Sequence, residues 1–590
     1  MTEPASEADV TRPPDVRWAV VVGAFLVLPL LVAAVIIATS HAPYHPGFDN
    51  ALIELRTRDA LDHVLYTGPY SRFGWYHPGP ILFYLYAVPY RILGERSLVI
   101  PVVALVINAA MVAVLVWLGF RIARLPGVLW VALPTALLMR SFGIALLHSQ
   151  WNPDVSTLAF LAFLVAAWAI AVGQRSIVLV AVALGTFVVQ NHVGDALPVV
   201  LILGLGLAFG ERWRPQAPGR RARVYGAAAV LALVLWALPI YGDVVAGNGN
   251  LRKVASFALS GGTSSTEARA GGLEALKVVG AQWGPRPLWL VTSTADLPFD
   301  GALVYEESRW WLPLAGLPVA AFTLWGFVKR RREVATAGAI TAIGFGAALF
   351  SVASVKGAVW SYLAWWIWAL GAFSAMAILA GVWNVLRRQW HRVARPFLLV
   401  VTLGASAAVG VGFVADAAQA RTPSDTAGLT VAEQQASGGT ISREVIAAIP
   451  RQGREPVVLD TTYGVLESPG LALALERAGL PVRVLGLESS VPYGPEREWH
   501  CGVSRARLRI YSGDDNIKKQ NPVGRRIARW VEQYSPVERR RQNLTRAAFL
   551  AQPPSAVRTR VLARAESELN GPKYLVEVYD DGRVDEPCRT

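Results

Sequence analysis

The stretch Ala19–Asp59, "AVVVGAFLVLPLLVAAVIIATSHAPYHPGFDNALIELRTRD", sets a long apolar run directly before a segment carrying Asp49, Glu54 and Asp59. About 20 apolar residues span a hydrocarbon core as a helix. Carboxylates are costly inside lipid, so the chain leaves the membrane near Ser40 and Asp49 lies just past the exit. The run could be a single anchor or the first of many crossings. The sequence downstream decides.

Apolar segments of span-like length recur from Val20 to Val414, over residues 18–40, 98–120, 126–146, 155–173, 176–190, 195–210, 224–245, 309–328, 334–353, 359–383 and 396–415. That is about eleven transmembrane helices by length and hydropathy. The chain is 53% hydrophobic and 17% charged, against about 25% charge in soluble domains. This is an α-helical polytopic membrane protein. The first run exceeds a signal h-region and lacks a small-residue cleavage site, so it is read as a retained helix. The runs 176–190 and 195–210 are short and meet at "QNHVGD", as two helices or a re-entrant pair. "HPGPILFYLYAVPYRIL" holds Pro78, Pro80 and Pro89 and suits an interfacial helix, with Trp75, Tyr76, Tyr84 and Tyr86 as belt aromatics.

The net charge is +14. In a soluble chain this would raise nucleic acid as a partner; here much of the excess sits in loops, and no nucleic acid is expected. With the N-terminus cytoplasmic, the inner loops hold Arg121, Arg124, Arg175, Arg212, Arg214, Arg220, Arg221, Arg223, Lys329–Arg332, Arg387, Arg388, Arg392 and Arg395. The short outer loops offer Lys356 alone. Lys and Arg concentrate on the inner side of membrane proteins, so residues 1–17 are a cytoplasmic tail and the C-terminus is outside. The membrane domain is 18–418, with a first outer loop at 41–97 and a long outer loop at 246–308. The Gly/Ser-rich long loop is read either as an acceptor- or carrier-facing lid or as a mobile connector.

Residues 419–590 are polar and read as an extracytoplasmic α/β domain. "PVVLDTTYG" and "PVRVLGL" are strand-like and flank the helical "GLALALERAG", an order that favours parallel pairing. "RARLRIYSG" and "KYLVEVYDDG" read as further strands, and 523–534 and 537–566 as helical. "GVLESPG" is no dinucleotide fingerprint. Both cysteines, Cys501 and Cys588, lie in this domain. Their spacing is no zinc motif, and a single disulfide is open to them in an oxidising compartment.

A first helix, an acidic outer loop ("FDNALIELRTRD"), an aromatic-rich interfacial segment ("GPYSRFGWYHPGPILFYL"), about eleven spans and a C-terminal outer domain together resemble the GT-C glycosyltransferases. The resemblance is to actinobacterial arabinofuranosyl- and mannosyltransferases of cell-envelope glycans. It implies a plasma-membrane enzyme that moves a sugar from a polyprenyl-phosphate donor to an envelope glycan or glycolipid acceptor. The family's first-loop acid is often one of a pair; here Asn50 follows Asp49, so Glu54 would be the second carboxylate. Any divalent metal (Mg, Mn or Ca) would rest on Asp49 with Glu54 and on this resemblance.

Such a transfer needs a carboxylate to take the acceptor hydroxyl's proton and cations to stabilise the leaving phosphate. Asp49 is the candidate base; its competing role is the N-cap of a helix beginning near Asn50. Glu54 is the candidate second acid; its competing role is an i,i+4 ion pair with Arg58. Asp59 and Asp62 are read as a solvated face. Arg56, Arg58, Arg72 and Lys356 are the outer-side cations for a phosphate. Lys356, alone in its loop, is assigned either to the carrier phosphate or to lipid head groups. Arg140, in the outer half of the third span, either faces a cavity or snorkels outward.

His77, His148 and His192 fall on the same outer side and suggest a polar cavity, each with a purely structural role as the alternative. Trp75, Trp151, Trp360, Trp365 and Trp366 are candidates for stacking on sugars or belong to the aromatic belt. Two further readings stay open. One is a flippase or transporter of lipid-linked sugars, although no internal repeat or midplane charge is visible. The other is a catalytically inactive envelope scaffold of the same fold.

Overall fold

The computed structural model describes residues 13–40, 44–215, 217–260, 268–284, 286–292, 306–420, 431–451, 453–464, 467–485, 491–513, 517, 520–533, 535–551, 562 and 574–587. The chain divides into two compact units. One comprises 1–42 and 59–428, the other 43–58 and 429–590. The short segment 43–58 thus belongs with the C-terminal residues. No composition shift in the sequence announces this.

In the first unit, α1 (Pro13–Ala38) packs on α4 (Val99–Leu147) and α14 (Trp365–Ala420). Between α1 and α4 in sequence come α2 (Phe48–Asp62), whose residues up to Arg58 belong to the second unit, the two-residue strands β1 (Tyr70–Ser71) and β2 (Trp75–Tyr76), and α3 (Ile81–Ile92). Then follow α5 (Asn152–Ala171), α6 (Val178–Asn191), α7 (Ala196–Trp213), α8 (Pro218–Val244), α9 (Asn250–Ser260), α10 (Gly271–Gly280), α11 (Leu288–Val291), α12 (Trp311–Val328) and α13 (Arg332–Ala353). Each of the eleven apolar segments named from sequence coincides with one helix or with part of a longer one. Among the described residues, eight helices are long and apolar enough to cross a membrane. One of them, α4, is two helices joined at Ala123 and Arg124, whose backbone leaves the helical region. Gly119 and Gly127 face each other across this bend, and a Cβ on Gly119 would stand 2.7 Å from the Gly127 carbonyl oxygen. Their bare backbones let the two halves close.

The first unit is a multi-pass membrane domain, and its apolar helices need little else to specify them. α5 is buried along its whole length, while α8 and α1 expose Val20, Leu28, Val35, Val230, Leu233 and Val234. In a soluble protein such surfaces would be liabilities; in lipid they are the expected exterior. Arg140 donates to the Leu290 carbonyl at 3.3 Å, which gives this cation a partner at the end of α11. The long loop 246–308 contains α9, α10 and α11 among its described residues. Residues 261–267 and 293–305 lie outside the described residues.

The second unit holds α15 (Val431–Ala448), β3 (Val457–Tyr463), α16 (Ser468–Arg477), β4 (Val482–Leu485), β5 (Gly502–Ser504), β6 (Ala506–Ser512), β7 (Arg525–Glu532), α17 (Pro536–Leu550), β8 (Tyr574–Asp580) and β9 (Val584–Glu586). The main sheet has the order β4-β3-β6-β8-β7. β3 is parallel to both β4 and β6, and β8 is antiparallel to β6 and β7. Val457, Leu459, Val482, Val484, Leu508, Ile510, Val576 and Val578 form its buried side.

One expectation fails here. Residues 523–534, read as helical, form strand β7 against β8. "RRIARWVE" has reasonable helix formers, but Arg526 and Arg529 both reach Glu577 of β8, at 2.9 and 3.0 Å. Cross-strand pairing overrides local propensity, as it often does for short amphipathic runs. Helix α17 covers the first half of the expected 537–566 helix, and residues 552–561 and 563–566 lie outside the described residues.

Candidate functional site

The sequence candidates divide between the two units. In the second, α2 begins at Phe48, so Asp49 occupies the first turn and is not the N-cap; the Ala51 N–H bonds back to Gly47. Asp49 is buried, as are Glu54 and Arg56. Glu54, wholly inaccessible, pairs with Arg477 at 3.0 Å. This long-range partner forms because the N-terminal half of α2 belongs with the C-terminal residues and Glu54 is not on a solvated surface. Arg56 pairs with Glu496 at 2.8 Å. Arg58 lies in the last turn of this segment and is engaged with the protein. Burial and the nearby Arg443 and Arg477 charges lower the pKa of His45.

In the first unit, the β1–β2 hairpin presents a row of side chains. Its turn carries Gly74 at φ +80, and its second strand is held by Asn250 of α9. The Asn250 amide accepts from Tyr76 N–H and donates to Tyr76 C=O, both at 2.9 Å, as a neighbouring strand would. Phe73 and Trp75 lie against Phe257 of α9, with ring centroids 4.8 and 5.6 Å away. Trp75 meets His77 edge-on at 5.5 Å, and His77 meets His192 at the same separation. His192 Nδ1 is 3.5 Å from the buried carboxylate of Asp195. His77 and His192, predicted separately, are therefore neighbours. Burial holds the His77 pKa well below the usual imidazole range, and the nearby His192 adds to this.

Lys356 enters the same row. Its Nζ lies 5.7 Å from the centre of the Phe257 ring, and its residue is buried. Its strand-like stretch bonds residues 268–270: Ala270 N–H to Val355 C=O at 2.8 Å and Gly357 N–H to Ala268 C=O at 3.0 Å. Arg72 donates to the carbonyls of Lys356 and Ala358 at 3.0 and 3.3 Å and stacks over Phe73 and Trp360. Its guanidinium is thus partly committed to the fold. His148 is buried at the end of α4, where Asn108 donates to the Leu147 carbonyl at 2.7 Å. Trp151 packs on Tyr362 and Trp366 on Phe160. With Trp365 also buried, these three rings serve the interior.

Sequence reasoning missed Asn250, Phe257, Arg477 and Glu496. "NGN" at 248–250 is a turn signal that could have marked Asn250. Nothing local points to the other three.

No group of three or more His, Cys, Asp or Glu among the described residues is placed to hold a metal ion. Glu54 stands about 140° around the helix from Asp49, at 100° per residue, and is bound by Arg477. The two carboxylates do not fit a shared divalent ion. Cys501 is disulfide-bonded; Cys588 lies outside the described residues, two positions beyond Glu586, which pairs with Gly502.

No protein-family model matches the sequence, and no curated protein matches it. Solved structures do. ArnT from Cupriavidus metallidurans in the apo state is similar with a TM-score of 0.51 at 14% identity, covering 87% of this chain and 96% of that one. The same protein bound to undecaprenyl phosphate gives 0.49 at 14% identity and the same coverage. The archaeal oligosaccharyltransferase AglB from Archaeoglobus fulgidus, in complex with an inhibitory peptide and a dolichol-phosphate, gives 0.45 at 11% identity, covering 95% of this chain and 88% of that one. Among the described residues, eight membrane-length helices stand with a strand-containing C-terminal unit, and the chain is similar in fold to apo ArnT.

Proposed function

We propose that the protein is a membrane glycosyltransferase that moves a sugar from a polyprenyl-phosphate donor to an envelope glycan or glycolipid acceptor outside the plasma membrane. The observation that carries this reading is the position of Asp49: a buried carboxylate in the first turn of the helix that follows the first apolar span, in a chain of this fold. Asp49 is assigned as general base. It takes the proton from an acceptor hydroxyl as that oxygen bonds the anomeric carbon; the bond from that carbon to the phosphate oxygen breaks, and the polyprenyl phosphate leaves with the electron pair.

The leaving phosphate gains charge, so a cation stabilises the transition state more than the ground state. Lys356 is the assigned cation. Arg72 serves mainly to hold the Lys356 backbone. His77, His148 and His192 are assigned to the polar lining that binds substrate, and Arg58 to phosphate binding. Glu54 contributes through its ion pair with Arg477. The disulfide at Cys501 is in keeping with a C-terminal unit in an oxidising compartment.

The test supplies radiolabelled polyprenyl-phosphoryl arabinose and polyprenyl-phosphoryl mannose to membranes containing the protein or its Asp49→Asn form. Transfer to glycan or glycolipid is expected for one donor, falling by about 100-fold in the variant. Equal transfer by both proteins would remove Asp49 from the reaction. Donor movement across sealed vesicles without transfer would favour a flippase.

A further inference from the structure

We propose that Arg477 and Glu496 are positioning residues: the C-terminal unit holds the N-terminal half of α2, and with it Asp49, through the Glu54–Arg477 and Arg56–Glu496 ion pairs. The inference rests on the assignment of Asp49 as base.

Several independent features converge on this segment. Residues 43–58 cluster with 429–590 and not with the apolar helices that flank them in sequence. Arg477 closes α16, and Glu496 sits in the turn after Gly494, so the two grips come from different parts of the unit. Glu54 and Arg56 are both nearly inaccessible, at 0% and 5% exposure. An ion pair that shields buried charges is lost at high cost when one partner is removed, because the other is left unpaired.

The backbone has been cleared for the same contact. Gly494 has φ +93, and a Cβ there would collide with the Arg56 guanidinium. Gly470, near the start of α16, lies against the Pro46 carbonyl, where a Cβ would stand 2.9 Å away. Gly439 of α15 lies under the His45 ring, with 2.7 Å to such a Cβ. Three glycines on three elements therefore receive one short segment. The grip is further ordered by Arg497, which forks onto Glu476 at 2.7 and 2.9 Å beside both partners in sequence.

A base must stay within hydrogen-bond reach of its proton, and small displacements of a catalytic group are expensive, about 100-fold for roughly 1 Å. Held by two pairs, α2 keeps Asp49 in place; with one pair broken, kcat should fall while the donor KM stays near its original value.

The experiment uses the full chain in lipid nanodiscs, with Glu496→Gln, Glu496→Arg, Arg56→Glu and the swap R56E/E496R. Hydrogen exchange over residues 48–58 and transfer of the labelled donors named above are both read. Exchange should rise and kcat fall by at least about tenfold in the single charge reversals, with both restored in the swap. Unchanged exchange in the single variants overturns the proposal. So does raised exchange with unchanged transfer, if Asp49→Asn still abolishes transfer; the base assignment then stands alone. If Asp49→Asn itself leaves transfer unchanged, the base assignment falls and the positioning role falls with it.

Discussion

The guanidinium of Arg72 donates to the carbonyl oxygen of Lys356 at 3.0 Å, so two cations that the sequence offers for one phosphate have different roles. Arg72 spends a donor on backbone and lies between the Phe73 and Trp360 rings. Replacing it with Lys keeps the charge and loses the planar fork. Arg72→Lys should therefore loosen the 355–358 stretch by about 1 kcal/mol, a discounted figure because the side chain is largely exposed. Lys356→Gln should leave that stretch ordered and lower donor affinity. Hydrogen exchange at Val355–Gly357, read beside the donor KM, separates the two effects. If Arg72→Lys instead raises the KM and leaves exchange untouched, the roles are reversed.

Asn250 offers a sharper test of the hairpin. Its amide both accepts from and donates to Tyr76, and Asn250 is buried. Asp keeps the acceptor but loses the donor, leaving the Tyr76 carbonyl unpaired beside a carboxylate. A buried group left unpaired costs about 1–3 kcal/mol. Asn250→Asp should destabilise at least as much as Asn250→Ala, seen as raised exchange over 70–77. A smaller loss for Asp than for Ala would show that the donated bond contributes little.

His77 should make stability depend on pH. Its Nδ1 accepts from the Val193 N–H at 3.2 Å, which a protonated ring could not do. Because the folded pKa lies below 6.5, the unfolded chain binds a proton first as pH falls. The stabilising contribution is complete above about pH 6.5 and is lost as pH drops towards the folded value. Thermal unfolding scanned from pH 8 to 5 should show a decline that is flatter in His77→Gln. An identical profile for the two proteins would place the dependence elsewhere.

How much of this was legible in the sequence follows from how local each signal is. The helices could be read because hydrocarbon imposes both length and composition on every crossing. The bend at Ala123–Arg124 was legible as a break in the apolar run. Strands β3, β4, β6 and β8 were legible from their apolar runs and flanking turns. Strand β7 was not, because Arg526 and Arg529 owe their conformation to Glu577, 51 and 48 residues away. The partners of Glu54 and Arg56 lie more than 400 residues downstream, where no spacing rule reaches. His77 and His192 could be listed as candidates from their loops, but their contact could not.

Glu467 gives the opposite pH dependence to His77 and lies in the other unit. It precedes α16, at the C-terminal end of β3. Burial pushes its carboxyl up to about 7 from 4.5 and outweighs the neighbouring groups that favour the charged form. Burial likewise raises the neighbouring Tyr493 hydroxyl, and the Glu467 charge adds to that. Between about 4.5 and 7 the unfolded chain has released a proton that the folded unit keeps. Stability contributed by the neutral acid is therefore complete below 4.5 and is lost as pH rises through 7. A shift of this size corresponds to roughly 3 kcal/mol. Glu467→Gln removes the titrating proton and keeps the shape, so the variant should match the wild type at pH 5 and be the more stable at pH 8. Hydrogen exchange over β3 and α16, compared between the two proteins at each pH, reads this directly. A wild type as protected as the variant at pH 8 would mean that the carboxylate is solvated when ionised, and the burial argument would fail.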